Sequence, residues 1–196
     1  MPQVTLQHFD KWAIDFVGII NPPGKRTSAR YIIIVTDYLI SWDEAHTVKD
    51  CSAKNSVNFI FEYILSRFGC QKILMSDQGS HFLNKTIEAV NEEFQVYHQK
   101  STPYHPQENG TVEAFNKILE NALTKVCTVN KDDWDHRIPI VLWAHRNTCK
   151  KLTGHTSFRL VYGQEDVIPM EYIVPRIKIA AFTNMEDPYI MEERMS

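Results

Sequence analysis

The chain has 196 residues, of which 43% are hydrophobic, and a net charge of −3, a composition typical of an ordinary globular protein with one substantial core. It shows no apolar run of membrane-spanning length and no N-terminal signal stretch. Its four cysteines lie far apart without a Cys-x-x-Cys pair. This spacing favours reduced thiols in a nuclear or cytoplasmic protein over a disulfide framework or a zinc knuckle.

The charge is unevenly distributed along the chain. Positions 114–160 hold eight Lys or Arg against four acidic residues, whereas positions 165–196 hold seven acidic residues against three basic ones. Such blocks are compatible with nucleic-acid binding, but they are more often solvated surface. The acidic end is also dotted with proline, so we expect a core at 1–163 and an acidic, Pro-containing tail at 164–196.

The first half of the chain predicts three strands and a helix. Alternating apolar residues predict a strand at 12–17, and further strands are predicted at 31–35 and 44–48. Apolar residues at helical spacing over 53–68 predict a helix that Ser52 caps.

The second half alternates strands with helices. The predicted elements are a strand at 72–76, a helix at 83–94, a strand at 95–98, a helix at 112–126 and a helix at 134–145. Three leading strands followed by alternating strands and helices predict an α/β fold, a mixed five-stranded sheet with helices on both faces.

Three carboxylates stand where packing does not explain them. Asp15 lies inside an apolar strand, Asp77 ends another strand, and Glu113 lies near the start of an amphipathic helix. Acids that converge at the ends of strands repel one another unless a cation lies between them. Carboxylate oxygens are the ligands that magnesium and manganese prefer, so the three acids are candidate metal ligands.

Taken singly, each acid has a simpler explanation. An Asp before Gln-Gly is most often a turn former, and a Glu in the first turn of a helix often serves the helix dipole. Asp15 is the hardest to explain in this way, because acids are depleted inside strands. Asp37 is a rival candidate, but a turn at the end of the preceding strand accounts for it.

Three stretches of sequence, one around each acid, strengthen the metal-site hypothesis. They read Trp-Ala-Ile-Asp-Phe-Val-Gly at 12–18, Ser-Asp-Gln-Gly-Ser-His-Phe at 76–82 and His-Pro-Gln-Glu-Asn-Gly-Thr-Val-Glu at 105–113. Asp77 and Glu113 are separated by 35 residues. Together these stretches resemble the acidic signatures of gypsy-class long-terminal-repeat retrotransposon integrases. The resemblance runs from about Phe9 to Tyr162 and includes Trp-Ala-His-Arg at 143–146.

The resemblance implies a ribonuclease H-like catalytic core in which Asp15, Asp77 and Glu113 hold two Mg²⁺ or Mn²⁺ ions. One ion would activate a water or a DNA 3′-hydroxyl, and the other would stabilise the departing oxygen. The implied activities are DNA 3′-end processing and strand transfer. The implied partners are the retrotransposon ends and the target DNA, bound by a homo-oligomer when active.

Three residues near Glu113 are the expected nucleic-acid contacts, namely Asn109, Asn116 and Lys117. Asn109 can adopt the left-handed conformation in the loop before the helix. Lys117 either contacts a phosphate or forms an i,i+4 ion pair with Glu113, and the two interpretations weigh equally.

Several features depart from the family pattern. Ala114 and Ser157 stand where Arg and Pro are common, and the histidines and cysteines lack the spacing of the family's zinc domain. The sequence therefore corresponds to a core. One alternative is an inactive remnant or a domesticated nucleic-acid-binding domain. Another is a different nuclease of this fold, such as a ribonuclease H or a proofreading exonuclease. The exonuclease type would require Asp-x-Glu in the first strand, and Asp15 is followed by Phe-Val instead.

Overall fold

One mixed sheet forms the centre of the molecule. The computed structural model describes residues 6–79, 81–100, 110–128, 130–151 and 153–167. Five strands lie in the spatial order β3-β2-β1-β4-β5. They are β1 (Lys11–Val17), β2 (Tyr31–Asp37), β3 (Asp43–Val48), β4 (Ile73–Ser76) and β5 (Tyr97–Lys100). The first three strands pair antiparallel, whereas β4 runs parallel to both β1 and β5. The predicted sheet is therefore confirmed.

Helices connect the later strands. They are α1 (Ala53–Phe59), a π-helical segment (Ile60–Leu65), α2 (Ser66–Phe68), α3 (Lys85–Glu93), α4 (Gly110–Val126), α5 (Trp134–Arg146) and α6 (Ser157–Tyr162). The first three run on from one another and together match the predicted helix over 53–68. Ser52 caps its start, as expected, by accepting a hydrogen bond from the backbone N–H of Asn55.

The two faces of the sheet carry separate apolar cores, because side chains alternate along each strand. On one face the sheet packs against α4 and α5, and the buried residues include Val17, Ile32, Ile34, Phe115, Leu119, Ile138 and Val141. On the other face it packs against α1, the π-helical segment and α3, and the buried residues include Trp12, Ile14, Ile33, Val35, Phe59, Ile64 and Ile87. Helices on both faces are as predicted.

The residues just after α6 lie against the core. Asp166 accepts hydrogen bonds from the Trp143 indole and the Asn147 amide, at 2.6 and 3.1 Å. Glu165 accepts one from the Thr156 hydroxyl at 2.8 Å. The predicted boundary after residue 163 stays a prediction, because most of the expected tail lies outside the described residues. Within the ranges that are described, no helix has the length and apolar character needed to cross a membrane.

Candidate active site

Two of the three predicted acids are neighbours across a pair of parallel strands. β1 pairs with β4 so that Ala13 lies beside Met75. Asp15 lies two residues further along β1, and Asp77 directly follows the end of β4, where its charge acts on Asp15. The period of two places the Asp15 side chain on the α4 face, and Asn116 of α4 contacts it there. Asp15 is partly buried, whereas 48% of the Asp77 side chain is exposed.

Short hydrogen bonds fix both carboxylates. Asp15 accepts one from the backbone N–H of Phe16 at 2.8 Å and one from the side-chain amide of Asn116 at 2.7 Å. Asp77 accepts one from the backbone N–H of Gly79 at 2.9 Å. Because Asn116 belongs to α4, its hydrogen bond ties this helix directly to the carboxylate in β1.

The two carboxylates lie close enough to affect each other's charge, and His81 compensates that charge only in part. Burial raises the pKa of Asp15 above its usual value, and the nearby charge of Asp77 acts in the same direction. The hydrogen bonds from Phe16 and Asn116 offset only part of this effect. In the described part of the chain, neither carboxylate forms an ion pair with a lysine or an arginine. A site of this kind favours a bound cation.

Glu113 is not part of this pair. It lies in the first turn of α4 and is exposed. It is one turn before Asn116, so both side chains project from the same side of the helix. Among the described residues, no three His, Cys, Asp or Glu side chains come close enough together to hold a metal ion. In the described structure, therefore, the three predicted acids do not form one cluster.

The expected nucleic-acid contacts have different surroundings. Lys117 is exposed on α4. Asn116 is engaged with Asp15, while its own side-chain oxygen is buried and has no hydrogen-bond partner among the described residues. Asn109 lies outside the described residues. A DNA contact by Asn116 would therefore have to form alongside its hydrogen bond with Asp15.

His81 is a member of the site that the sequence analysis did not single out. Its Nε2 atom lies 3.8 Å from a carboxylate oxygen of Asp77, and its charge acts on Asp15. The ring packs edge-on to Phe16 and lies so close to Gly79 that a Cβ atom there would collide with it. The signal was present in the sequence, because His81 follows Asp77 by four residues in the same motif.

Asp37 has the role in a turn that was expected of it. Its side chain is fully buried and accepts hydrogen bonds from the backbone N–H groups of Phe9, Leu39 and Ile40. Burial raises the pKa of Asp37, and these three hydrogen bonds oppose that shift. These three hydrogen bonds join the turn after β2 to the segment before β1.

Comparison with known proteins relates this chain to retroviral proteins. The chain matches no protein-family model. Over 153 residues, or 78% of its length, it is 31% identical to the Gag-Pol polyprotein of Woolly monkey sarcoma virus, and it covers 9% of that polyprotein.

Two solved structures share the fold. In a structure of the simian T-cell lymphotropic virus intasome in complex with PP2A regulatory subunit B56 gamma, 56% of one chain matches 82% of this one, with a TM-score of 0.68 and 18% identity. The HTLV-2 integrase catalytic core domain, in complex with magnesium and in a trimeric form, matches over 95% of its length and 77% of this chain, with a TM-score of 0.62 and 17% identity.

The chain is therefore related in sequence to retroviral Gag-Pol polyproteins. It has the ribonuclease H-like fold of retroviral integrase catalytic cores, as expected from its sequence.

Proposed function

We propose that this chain is the catalytic core of a gypsy-class retrotransposon integrase, which processes DNA 3′ ends and joins them to target DNA by metal-dependent polynucleotidyl transfer. The observation that supports the proposal is the pKa of Asp15, which burial and the charge of Asp77, just beyond the β4 strand that pairs with β1, both raise. Its relatives among retroviral Gag-Pol polyproteins and its likeness to integrase cores support a role in DNA integration.

The donor groups at this site fit Mg²⁺ or Mn²⁺. Asp15 and Asp77 offer carboxylate oxygens, the hard ligands that these ions prefer. The buried oxygen of Asn116, which has no partner in the described structure, adds a polar group beside them. The HTLV-2 core was solved in complex with magnesium. We assign Asp15 and Asp77 as metal ligands and Glu113 as the third ligand, with two ions in the active form.

When bound, such ions lower the pKa of an attacking water or 3′-hydroxyl and stabilise the charge that develops on the leaving oxygen. The protein's contribution is to hold the ligands in place. Asn116 orients the Asp15 carboxylate, and the backbone N–H of Gly79 orients that of Asp77. Glu113 is exposed on the same side of α4 as Asn116, so rotation of its side chain can bring its carboxylate towards the pair.

DNA is the proposed partner. Lys117 lies exposed on the helix that carries Glu113, and we assign it a phosphate contact, with Asn109 and Asn116 as further contacts. The two solved neighbours are an intasome and a trimeric core. By analogy, we propose that this chain acts as a homo-oligomer on the retrotransposon ends and the target DNA.

The test is a strand-transfer assay with Mg²⁺ or Mn²⁺ and a matched terminal DNA. Asp15→Asn, Asp77→Asn and Glu113→Gln each remove one negative ligand while preserving shape, so each variant is expected to lose activity. Double variants should be no worse than single ones, because the three acids act as a unit. Asp37→Asn is the control and should stay active. Activity that survives Glu113→Gln means that other residues perform the cutting.

A second function is favoured by one observation: in the described structure the three predicted acids do not form one cluster. In that case the chain binds DNA without cutting it, as an inactive remnant or a domesticated domain. Wild-type protein would then bind DNA in a salt-dependent manner and show no strand transfer with either metal. Mn²⁺ binding that is unaffected by Glu113→Gln would support this alternative.

A further inference from the structure

A buried hydrogen-bond chain lies behind Asp77. Ser76, the last residue of β4, is 1% exposed. Its hydroxyl oxygen is 2.9 Å from the backbone carbonyl oxygen of Asp77 and 2.8 Å from Nε2 of His98. His98 belongs to β5 and is paired with Leu74, so its imidazole reaches along the sheet towards the end of β4.

The chemistry of these groups sets the direction of the chain. A hydroxyl has one hydrogen, and once Ser76 donates it to the Asp77 carbonyl, its oxygen can accept an N–H from the imidazole. Burial lowers the pKa of His98, and the charge of Lys100 lowers it further, while Glu88 opposes the shift. This lowered pKa favours the uncharged imidazole, which carries one N–H. With that hydrogen on Nε2, the chain runs from His98 through Ser76 to Asp77.

Asp77 depends on such support because it lies just past the paired part of its strand. The register between β4 and β5 ends at Ser76 and Lys100. The Asp77 side chain is half exposed, and in the described part of the chain it accepts a hydrogen bond from the Gly79 N–H and lies 3.8 Å from His81. The side chain of Ser76 points away from that of Asp77, because successive residues in a strand alternate between faces. The hydrogen-bond chain thus fixes the Asp77 backbone from the opposite side of the sheet.

We propose that His98 and Ser76 are positioning residues for Asp77, which hold its backbone so that its carboxylate meets the metal in one orientation. The inference rests on the proposed function, since it concerns the metal ligand assigned there. Groups that hold a ligand in place without touching the metal typically change metal affinity by about 10- to 100-fold when they are removed.

The experiment measures Mn²⁺ binding to the full chain by electron paramagnetic resonance. His98→Leu and Ser76→Ala are each expected to weaken binding about 10- to 100-fold, and the double variant should be no worse, because both changes break the same chain. His98→Gln keeps an amide N–H near the position of Nε2 and should recover most of the affinity. His155→Gln, at an exposed histidine, is the matched control and should bind as the wild type does.

The ¹⁵N resonances of the His98 imidazole provide a second readout that needs no metal. A protonated Nε2 in the wild type, with a shift that changes on Ser76→Ala, is the expected signature. If His98→Leu fails to fold, Ser76→Ala and His98→Gln decide the question.

Wild-type affinity in both Ser76→Ala and His98→Leu overturns the positioning role and leaves the metal site intact, provided that Asp77→Asn abolishes binding. Binding that is unaffected by Asp77→Asn, or that is absent from the wild type, overturns the proposed metal site and the positioning role together.

Discussion

Two pairs of acidic residues on the same sheet have opposite surroundings. Asp15 and Asp77 lie at the ends of β1 and β4, partly exposed and without a described lysine or arginine partner. Asp43 and Glu44 open β3 and are almost fully buried, at 0% and 3% exposure. Glu44 is met by Arg67 and Arg146, each at 2.8 Å, and by the indole of Trp42 at 2.9 Å.

The other member of the β3 pair also has close partners, but its buried Oδ2 atom lies near His145 without a well-formed hydrogen bond in the described structure. Asp43 lies 2.7 Å from Nδ1 of His145 and accepts a hydrogen bond from the Thr36 hydroxyl at 2.6 Å. Arg146 also donates to its backbone carbonyl. The comparison teaches that burial alone does not mark a functional acid. What separates the pairs is the kind of partner: two arginines and a histidine meet the pair on β3, whereas no lysine or arginine among the described residues meets Asp15 or Asp77.

The largest effect that separates the two pairs should be on stability. Glu44→Gln leaves Arg146 partly buried without its anionic partner, and breaking a buried ion pair typically costs about 3 to 5 kcal/mol. Asp77→Asn, at a half-exposed side chain, should change the free energy of unfolding by no more than about 0.5 kcal/mol. Urea unfolding followed by circular dichroism measures both. Equal losses would remove the distinction between the pairs.

Asp37 tests whether an acid whose carboxylate already accepts three backbone hydrogen bonds is dispensable for function. Asp37→Ala leaves three backbone N–H groups without their acceptor, so we expect a loss of about 2 kcal/mol in unfolding free energy. Asp37→Asn keeps one acceptor oxygen and should lose less. Strand transfer by Asp37→Asn, assayed below its melting temperature, should match the wild type, and its loss would place Asp37 among the functional acids.

Lys150, which neighbours the histidine beside Asp43, predicts that the stability of the fold depends on pH. Burial lowers the pKa of Lys150, which lies 2.8 Å from Nε2 of His145, from 10.5 to about 8. Between these values the unfolded chain holds a proton that the folded chain has released, so stability rises with pH over that interval. Lys150→Met should flatten this rise. The measurement is the unfolding free energy of both proteins from pH 7.5 to pH 10, and parallel curves would contradict the assignment.

The smallest expected effect concerns DNA binding next to Asp15 and Asp77. Lys117→Ala, on the helix that contacts Asp15, should reduce the dependence of log affinity on log salt concentration by about 0.9, the value of one phosphate contact. Lys54→Ala is the matched control, because α1 packs on the other face of the sheet. Fluorescence anisotropy with a short duplex at several salt concentrations gives the slopes. Equal slopes for the wild type and Lys117→Ala would show that Lys117 does not contact DNA.

Much of the fold was predictable because its signals are local. The alternation in β1 predicts both the strand and the face on which Asp15 lies, and the capping serine predicts the start of α1. β5 begins two residues later than expected, since Gln95 has a positive φ of 56° that periodicity does not encode. The π-helical segment was also missed, because a shift of one residue in hydrogen bonding hardly changes the apolar spacing.

The site was predictable only where a motif carries it. Asp15 and Asp77 were singled out by their positions in apolar strands, and in the structure the charge of Asp77 acts on Asp15. The chain from His98 to Asp77 could not be found in this way, because it depends on the alignment of β4 with β5. The same holds for Asp43 and Glu44, whose partners in α2 and α5 are distant in sequence.

The alternation of side chains between the two faces of β1 also determines which insertions the strand can tolerate. Asp15 faces α4, whereas Trp12 and Ile14 face the apolar core on the other side of the sheet. One extra residue between Trp12 and Asp15 would turn every later side chain of the strand to the opposite face. The same insertion would move the Asp15 carboxylate into that apolar core and away from Asp77. A substitution in β1 therefore affects one position, whereas an insertion there disturbs both the packing of the strand and the proposed site in a single step.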